Sequence, residues 1–522
     1  MRRTILDCYT DEPAGLGVPP FIGVWPRYAA GEYKEEPTYL TIDDIRLVRY
    51  VEHVPEVVID PPRGRTHIEV LNHTRSYEEI RRVLEDTDEL IIIVGVQTPG
   101  KYLSARPGTL HEVEKLLRSF EETRYGWHGQ TRLSVVSPKT TATPTNEFVG
   151  ATPLRRILTG PVLTGGTQAR GGARPQVADA GYFDELRPLA FDTYDQLQPP
   201  ALRGAPFIRQ MPRLTNRIVE IETGRGCPRE KGCSFCTEPI KNKVHWRRPE
   251  LVVEEVKALT GFGARAFRLG KQSCIYSYEG GDHQKLETML SGLAAMSPTV
   301  LHIDNANPQM IDERRTELFV KYLTPGSTAA MGIESFDPEV TKANNLNCPY
   351  DLAFEAIRTV NRIGGFRGEN GCHALLPGVN ILLGLAGETP ETLDRNFAAL
   401  KRILDEGLLI RRINIRRVVP FPGTPLYQQV GRRFLRKNMR YYVDWIEKVR
   451  REIDIPMLQR LFPVGTVLKD LCSEVHNGHM TFLRQIGSYP IVVGIHERLP
   501  LNEFFHARVT SYMRRSLVAE RL

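Results

Sequence analysis

Cys227, Cys233 and Cys236 lie in one short string, Gly224-Arg-Gly-Cys-Pro-Arg-Glu-Lys-Gly-Cys-Ser-Phe-Cys236. Three thiolates on one loop can hold three irons of a four-iron, four-sulfur cluster and leave the fourth iron open to a small molecule. A structural zinc site needs a fourth Cys or His to close its tetrahedron. The next such residue, His245, lies in the basic string His245-Trp-Arg-Arg248. A disulfide needs an oxidising compartment, and the scattered remaining cysteines do not suggest one. The cluster is the reading the spacing favours, with zinc and incidental thiols as alternatives.

The loop follows a short apolar stretch, Arg217–Glu222, which reads as a strand. Five more strand-like runs follow at Ala264–Gly270, Val300–Asp304, Ala329–Glu334, Val379–Gly384 and Ile413–Val419. Helical stretches separate them, among them Pro249–Leu259, Gln284–Met296, Tyr350–Ile363 and Glu391–Glu406. Six βα units predict a partial (β/α)6 barrel over 214–460, with its site at the strand carboxyl ends.

Ahead of it, residues 1–170 predict a doubly wound, Rossmann-like α/β domain. Its strands are expected at Thr4–Asp7, near Leu40–Ile42 and at Glu89–Gly95, with further apolar runs at Arg132–Val136 and Gly160–Gly166. Tyr77–Glu85 and His111–Arg124 read as helices. The stretch 171–213, rich in Gly, Pro and Arg, reads as a linker or lid. Leu426–Ile453 is a basic, Tyr-bearing helical region. Residues 461–522 predict a small antiparallel β-rich unit, from runs at Val464–Leu471, Met480–Gln485, Tyr489–Ile495 and Arg508–Tyr512. The fold class is thus α/β with a small β-rich tail.

At 522 residues the chain can bury two or three cores. Apolar content of 41% and charged content of 25% are those of a globular protein, which argues against disorder. The formal charge of +7 permits an acidic partner without demanding one. No apolar run approaches a membrane span and no leader signature opens the chain, so a cytoplasmic location is expected.

The cysteine loop resembles that of radical S-adenosylmethionine (SAM) enzymes, including the aromatic Phe235 before the third cysteine. Their usual spacing is C-x3-C-x2-C, and here the first gap is two residues longer. Met331-Gly-Ile-Glu-Ser-Phe-Asp337, with Thr341-Lys-Ala-Asn344 after it, resembles the fourth-strand motif, which implies that Glu334 and the adjoining Ser335 lie against SAM. Asn380-Ile-Leu-Leu-Gly-Leu-Ala-Gly-Glu-Thr389 resembles the fifth-strand glycine motif and places Asn380, Gly384 and Gly387 near adenine. Gly270 and Gln272 in Leu269-Gly-Lys-Gln272 stand where relatives contact the SAM amino group, with Lys271 replacing an expected acid. Pro420–Tyr427 resembles the exit loop of the sixth strand. No residue is assigned as a catalytic acid or base.

Two groups of radical SAM enzymes carry an α/β domain ahead of the barrel. RNA methylthiotransferases hold a second cluster there and end in a small TRAM- or OB-like β-barrel. Cobalamin-dependent methyltransferases bind cobalamin there. Only Cys8 precedes the cysteine loop, too few thiols for a second cluster. The resemblance therefore implies cobalamin, with Thr98, Gly100, Ser104, Gly108, Thr164, Gly165 and Gly166 against the corrin or its nucleotide tail. The layout as a whole resembles a group of archaeal radical SAM proteins.

What the resemblance implies is one 4Fe-4S cluster, SAM and methylcobalamin, with methyl transfer to an unactivated carbon. One SAM remethylates the cobalamin and a second yields the 5′-deoxyadenosyl radical. A protein residue is the expected acceptor ahead of RNA, by analogy with the glutamine α-carbon of methyl-coenzyme M reductase. A reducing partner such as ferredoxin or flavodoxin is implied. An RNA methylthiotransferase or RNA methyltransferase is the alternative, and Arg432–Tyr442 could then hold phosphates with its tyrosines stacked on bases. A non-enzymatic binding module would be the reading if a cysteine of the loop were missing.

Overall fold

The structure, a computed structural model, describes residues 1–9, 22–51, 74–95, 107–124, 154–164, 181–189, 191–211 and 217–522. The chain opens on β1 (Arg3–Asp7), α1 (Val24–Gly31), β2 (Thr38–Thr41), α2 (Ile42–Val51), α3 (Tyr77–Asp86), β3 (Glu89–Ile93), α4 (Leu110–Arg124), β4 (Arg155–Thr159), β5 (Glu185–Leu186) and α5 (Tyr194–Arg203). The strands form a parallel sheet in the order β2-β1-β3-β4-β5. The run Glu-Leu-Ile-Ile-Ile of β3 is buried along its whole length, as a central parallel strand covered on both faces requires. This is a doubly wound order, and its direction reverses between β1 and β3.

Two expectations need adjusting here. The described part of the run Gly160–Gly166 is not a strand: β4 lies just before it, and Pro161–Thr164 forms a tight 3-10 turn at the carboxyl end of β4. Pro161 has no N–H to give to a ladder. Within 171–213, the described residues hold β5, α5 and a 3-10 turn at Ala205–Gln210. The apolar run at Arg132–Val136 lies outside the described residues.

The second unit begins with β6 (Val219–Glu222), followed by a two-stranded clamp, β7 (Gly224–Arg225) with β8 (His245–Trp246), and the short α6 (Glu238–Lys241) between them. Then come α7 (Pro249–Gly261), β9 (Ala266–Gly270), α8 (His283–Ala294), β10 (Val300–Ile303), β11 (Asn305–Ala306), α9 (Glu313–Tyr322) and β12 (Ser327–Glu334). The barrel closes its run with α10 (Pro338–Ala343), α11 (Tyr350–Gly364), β13 (Leu375–Leu383), α12 (Pro390–Asp405) and β14 (Arg412–Arg417). The sheets β10-β9-β6 and β11-β12-β13-β14 join where β10 runs into β11, giving one parallel, open-sided wall. Of its outer helices, α8, α9, α10 and α12 are capped by side chains. In α12, for example, Thr389 accepts from the Thr392 N–H, with Pro390 in the first turn.

The first unit is locked to the barrel by buried charge. Ile22 pairs with Val219 and so covers the open edge of β6. Arg27 of α1 and Arg247 both pair with Glu255 of α7, and all three side chains are fully buried. Arg27 also donates to the Glu220 carbonyl at 2.6 Å. Burial would push the Glu255 carboxyl up, but the two guanidiniums outweigh it and hold the group below the usual range. Removing one partner of such a cluster strands the others, at a cost of about 3–5 kcal/mol.

After α13 (Pro425–Gln429), α14 (Arg433–Val449) and α15 (Ile455–Leu461), the strands β15 (Val467–Asn477), β16 (Met480–Gln485), β17 (Val492–Ile495), β18 (Phe504–Tyr512) and β19 (Leu517–Arg521) close a barrel in the order β15-β16-β17-β19-β18. The expected antiparallel pattern holds except between β17 and β19, which run parallel. Among the described residues no helix is long and apolar enough to cross a membrane.

Candidate functional site

The three cysteines line a single cavity of about 670 Å³. Its wall comes from the carboxyl ends of the barrel strands and from α1, Pro161, Leu189 and Phe191 of the first unit. The loop that carries the thiols is tied down at both ends. Gly226 sits at φ +83°, and a Cβ there would lie 2.5 Å from the Lys243 carbonyl, so the β7–β8 clamp admits only glycine. Asn345 donates to the carbonyls of Lys231 (2.7 Å) and Gly232 (3.0 Å), while Arg229 donates to the Asn345 carbonyl (2.8 Å). Ser234 is held by Asn344 through both backbone (2.9 Å) and side chain (2.7 Å). The longer first gap is therefore pinned by the segment that ends α10.

The donor set suits an iron–sulfur cluster. All three thiols are half-buried around one space, and Arg229 donates to Cys233 Sγ at 3.2 Å. Among the described residues no three His, Cys, Asp or Glu groups gather on a single ion. A cubane needs one thiolate per iron and no such point of convergence. Burial, only partly offset by Arg229, pushes Cys233 up to about 11, and burial pushes Cys236 up to about 12. Loading a cationic cluster would reverse this and release protons.

The other expected residues separate into two sets. Phe235, Gln272, Glu334 and Asn380 line the cavity with the cysteines. Glu334 has φ +66° at a bulge in the β12–β13 register, which turns its carboxylate toward the cavity. Burial, only partly offset by Arg416, raises its pKa to about 7. Gln272 accepts from the Thr223 hydroxyl at 3.0 Å, and Asn380 accepts from Asn414 Nδ2 at 3.0 Å.

Ser335, Gly270, Gly384, Gly387, Gly108 and Thr164 are not in the cavity wall. Ser335 is buried against Asn396 of α12 and accepts from the Asp337 N–H. Gly270 leaves room for Glu220, whose Oε1 would lie 2.6 Å from a Cβ there. Gly384 lies at φ +92° against Leu435 of α14. The turn from Gly384 to Gly387 is stitched to Asn344 at the Ala386 N–H (3.1 Å) and carbonyl (2.8 Å). These glycines thus brace the residue that holds the cysteine loop. Gly108 donates to the Cys8 carbonyl beside the end of β1 (2.9 Å), and Thr164 ends the turn after β4. Thr98, Gly100, Ser104, Gly165 and Gly166 lie outside the described residues.

Beside Lys271, the cavity contains residues that sequence reasoning did not single out: Glu220, Arg268, Asp304 and Tyr489. Arg268 donates to Glu220 Oε1 at 2.6 Å and lies 3.8 Å from Asp304 Oδ2. Lys271 pairs with Glu220 Oε2 at 3.2 Å. Tyr489 of the small barrel donates to Asp304 Oδ1 at 2.7 Å. A signal for Arg268 and Asp304 existed, since each is a charge inside or ending an apolar strand. None existed for Tyr489.

The sequence model described as the radical SAM superfamily matches residues 221–416. The chain is 38% identical over 553 aligned positions to the uncharacterized protein MJ0274 of Methanocaldococcus jannaschii, covering 99% of this chain and 93% of that one. It is 35% identical over 541 positions to an uncharacterized protein of Archaeoglobus fulgidus, covering 99% and 90%. Among solved structures, the radical SAM methyltransferase TsrM from Kitasatospora setae, with tryptophan substrate and aza-SAM bound, has a TM-score of 0.46 and 12% identity, over 82% of this chain and 75% of that one.

Proposed function

From the premise that this chain carries a radical SAM domain and belongs to one full-length family with the two archaeal proteins, we propose that it is a cobalamin-dependent radical SAM methyltransferase acting on an unactivated carbon. When bound, the cluster and SAM supply a 5′-deoxyadenosyl radical, and cobalamin supplies a methyl group. A protein residue is the acceptor we favour over RNA, with the glutamine α-carbon of methyl-coenzyme M reductase as candidate. In this reading the three cysteines hold the cluster, and Glu334, Gln272 and Asn380 orient SAM.

The observation that carries the proposal is the shared cavity. The doubly wound sheet reaches the space that the three thiols line through Pro161, just past the carboxyl end of β4. The first unit's side of the cavity is apolar and aromatic, with Val24, Trp25, Tyr28, Leu189 and Phe191, as a flat macrocycle needs. The Trp25 Nε1–H is buried and has no acceptor among the described residues. The amide arms of a corrin carry such acceptors.

The closed five-stranded tail is the feature that favours the methylthiotransferase alternative. Against it stands the single, fully buried thiol of Cys8 in the first unit. The test is anaerobic titration with hydroxocobalamin, followed by the visible spectrum of the desalted protein. Stoichiometric retention, weakened in Trp25→Ala, supports the proposal. Complete loss of corrin absorption on desalting contradicts it.

A further inference from the structure

The small C-terminal barrel does more than pack beside the larger one. Its β16–β17 connection enters the cavity. Gly487 lies against the ring of His302, and the Ser488 N–H donates to His302 Nδ1 at 3.2 Å. Arg411 donates to the Tyr489 carbonyl at 2.6 Å, and the Arg412 guanidinium lies 5.6 Å from the Tyr489 ring centroid. Behind them, Gln485 donates to the carbonyls of Asn370 (2.7 Å) and Lys469 (2.9 Å). The connection is thus held on several sides, and its Tyr489 lines the cavity together with the cysteines.

A polar chain runs from that tyrosine to Lys271, on the segment that also touches the cysteine loop. Tyr489 donates to Asp304, Asp304 faces Arg268, Arg268 donates to Glu220, and Glu220 pairs with Lys271. Lys271 has φ +69°, a conformation costly for a residue with a side chain. Two residues on, the Ser273 hydroxyl donates to the Gly226 carbonyl at 2.8 Å, next to Cys227. All five members of the chain line the cavity. In a water-poor site, fixed charges of this kind act strongly on bound ligands.

We infer that Tyr489 is a positioning residue: the C-terminal barrel adds this side chain to the wall of the reaction chamber and, through the Tyr489–Asp304 bond, sets the charged network that holds SAM beside the cysteine loop. This rests on the reading of the chamber as the SAM site and is independent of cobalamin.

The test is a double-mutant cycle on the reconstituted full-length protein. Tyr489→Phe removes one hydroxyl and keeps the ring, and Asp304→Asn removes the charge it meets. SAM affinity by equilibrium dialysis and reductive SAM cleavage by 5′-deoxyadenosine release are read beside melting temperature and iron content. A hydrogen bond to a charged group predicts a loss in cleavage on the order of tenfold for Tyr489→Phe, with iron unchanged. In the Asp304→Asn background the same substitution should cause no further loss. Wild-type affinity and cleavage in Tyr489→Phe overturn the inference, as do losses that multiply in the double variant. If Tyr489→Phe fails to fold, Asp304→Asn alone decides: it leaves the Ser488 and Arg411 contacts in place and must still lower cleavage. A protein that retains no corrin yet shows the non-additive cycle keeps this inference and loses the cobalamin proposal. The converse result does the reverse.

Discussion

Glu334 concentrates the residue-scale chemistry. It is a carboxylate on a positive-φ bulge, facing the cavity that the thiols line. If it accepts from SAM hydroxyls or the ammonium group, the charge of the acceptor matters. Glu334→Gln keeps the shape and removes the charge, so SAM cleavage should fall about ten- to a hundredfold while iron content stays at the wild-type level. Unchanged SAM affinity and cleavage would remove Glu334 from the SAM site. The cysteines, Phe235 and Glu334 were legible because their chemistry lies in short strings on one chain segment. The Arg268–Asp304–Tyr489 chain was not, because it is assembled from residues far apart in sequence. Ser335, Gly384 and Gly387 lay in the right strings, yet their neighbours in space give them bracing contacts outside the cavity wall.

Among the elements, long buried strands such as β3 and regular helices such as α12 were predicted to within a few residues, because periodicity and caps are local signals. Gly160–Gly166 misled because an apolar run with Pro at its second position makes a turn as readily as a strand. The β17–β19 pair was beyond reach, since pairing direction is a long-range property. The docking of the C-terminal barrel carries a pH dependence. His302, under that barrel, is held down to about 4 by burial. Its folded pKa is thus below that of an unfolded histidine, near 6.5, so the unfolded chain binds the proton first. Stability is intact above pH ~6.5 and falls as the pH drops toward ~4, by about 1.4 kcal/mol per pH unit from this group. Thermal melts of His302→Gln, which keeps an acceptor for the Ser488 N–H, should show a shallower acid limb than the wild type. Identical limbs would place the acid sensitivity elsewhere.

Across the whole molecule, three units meet at one cavity. The first unit contributes its apolar wall, the central barrel its thiols and polar rim, and the small barrel Tyr489. The buried Arg27–Glu255–Arg247 cluster holds the first contact, and the Gln485–Tyr489 connection holds the last. Under the proposed function, these three walls would bring SAM, cobalamin and the acceptor together. The most direct measurement is product mass from the protein reconstituted with iron, sulfide, hydroxocobalamin, SAM and a low-potential reductant. Methyl-coenzyme M reductase peptides bearing the candidate glutamine serve as acceptor. Cobalamin-dependent methylation predicts a gain of one methylene unit, with one S-adenosylhomocysteine and one 5′-deoxyadenosine formed per methyl transferred. An added methylthio group, formed without cobalamin, would contradict it.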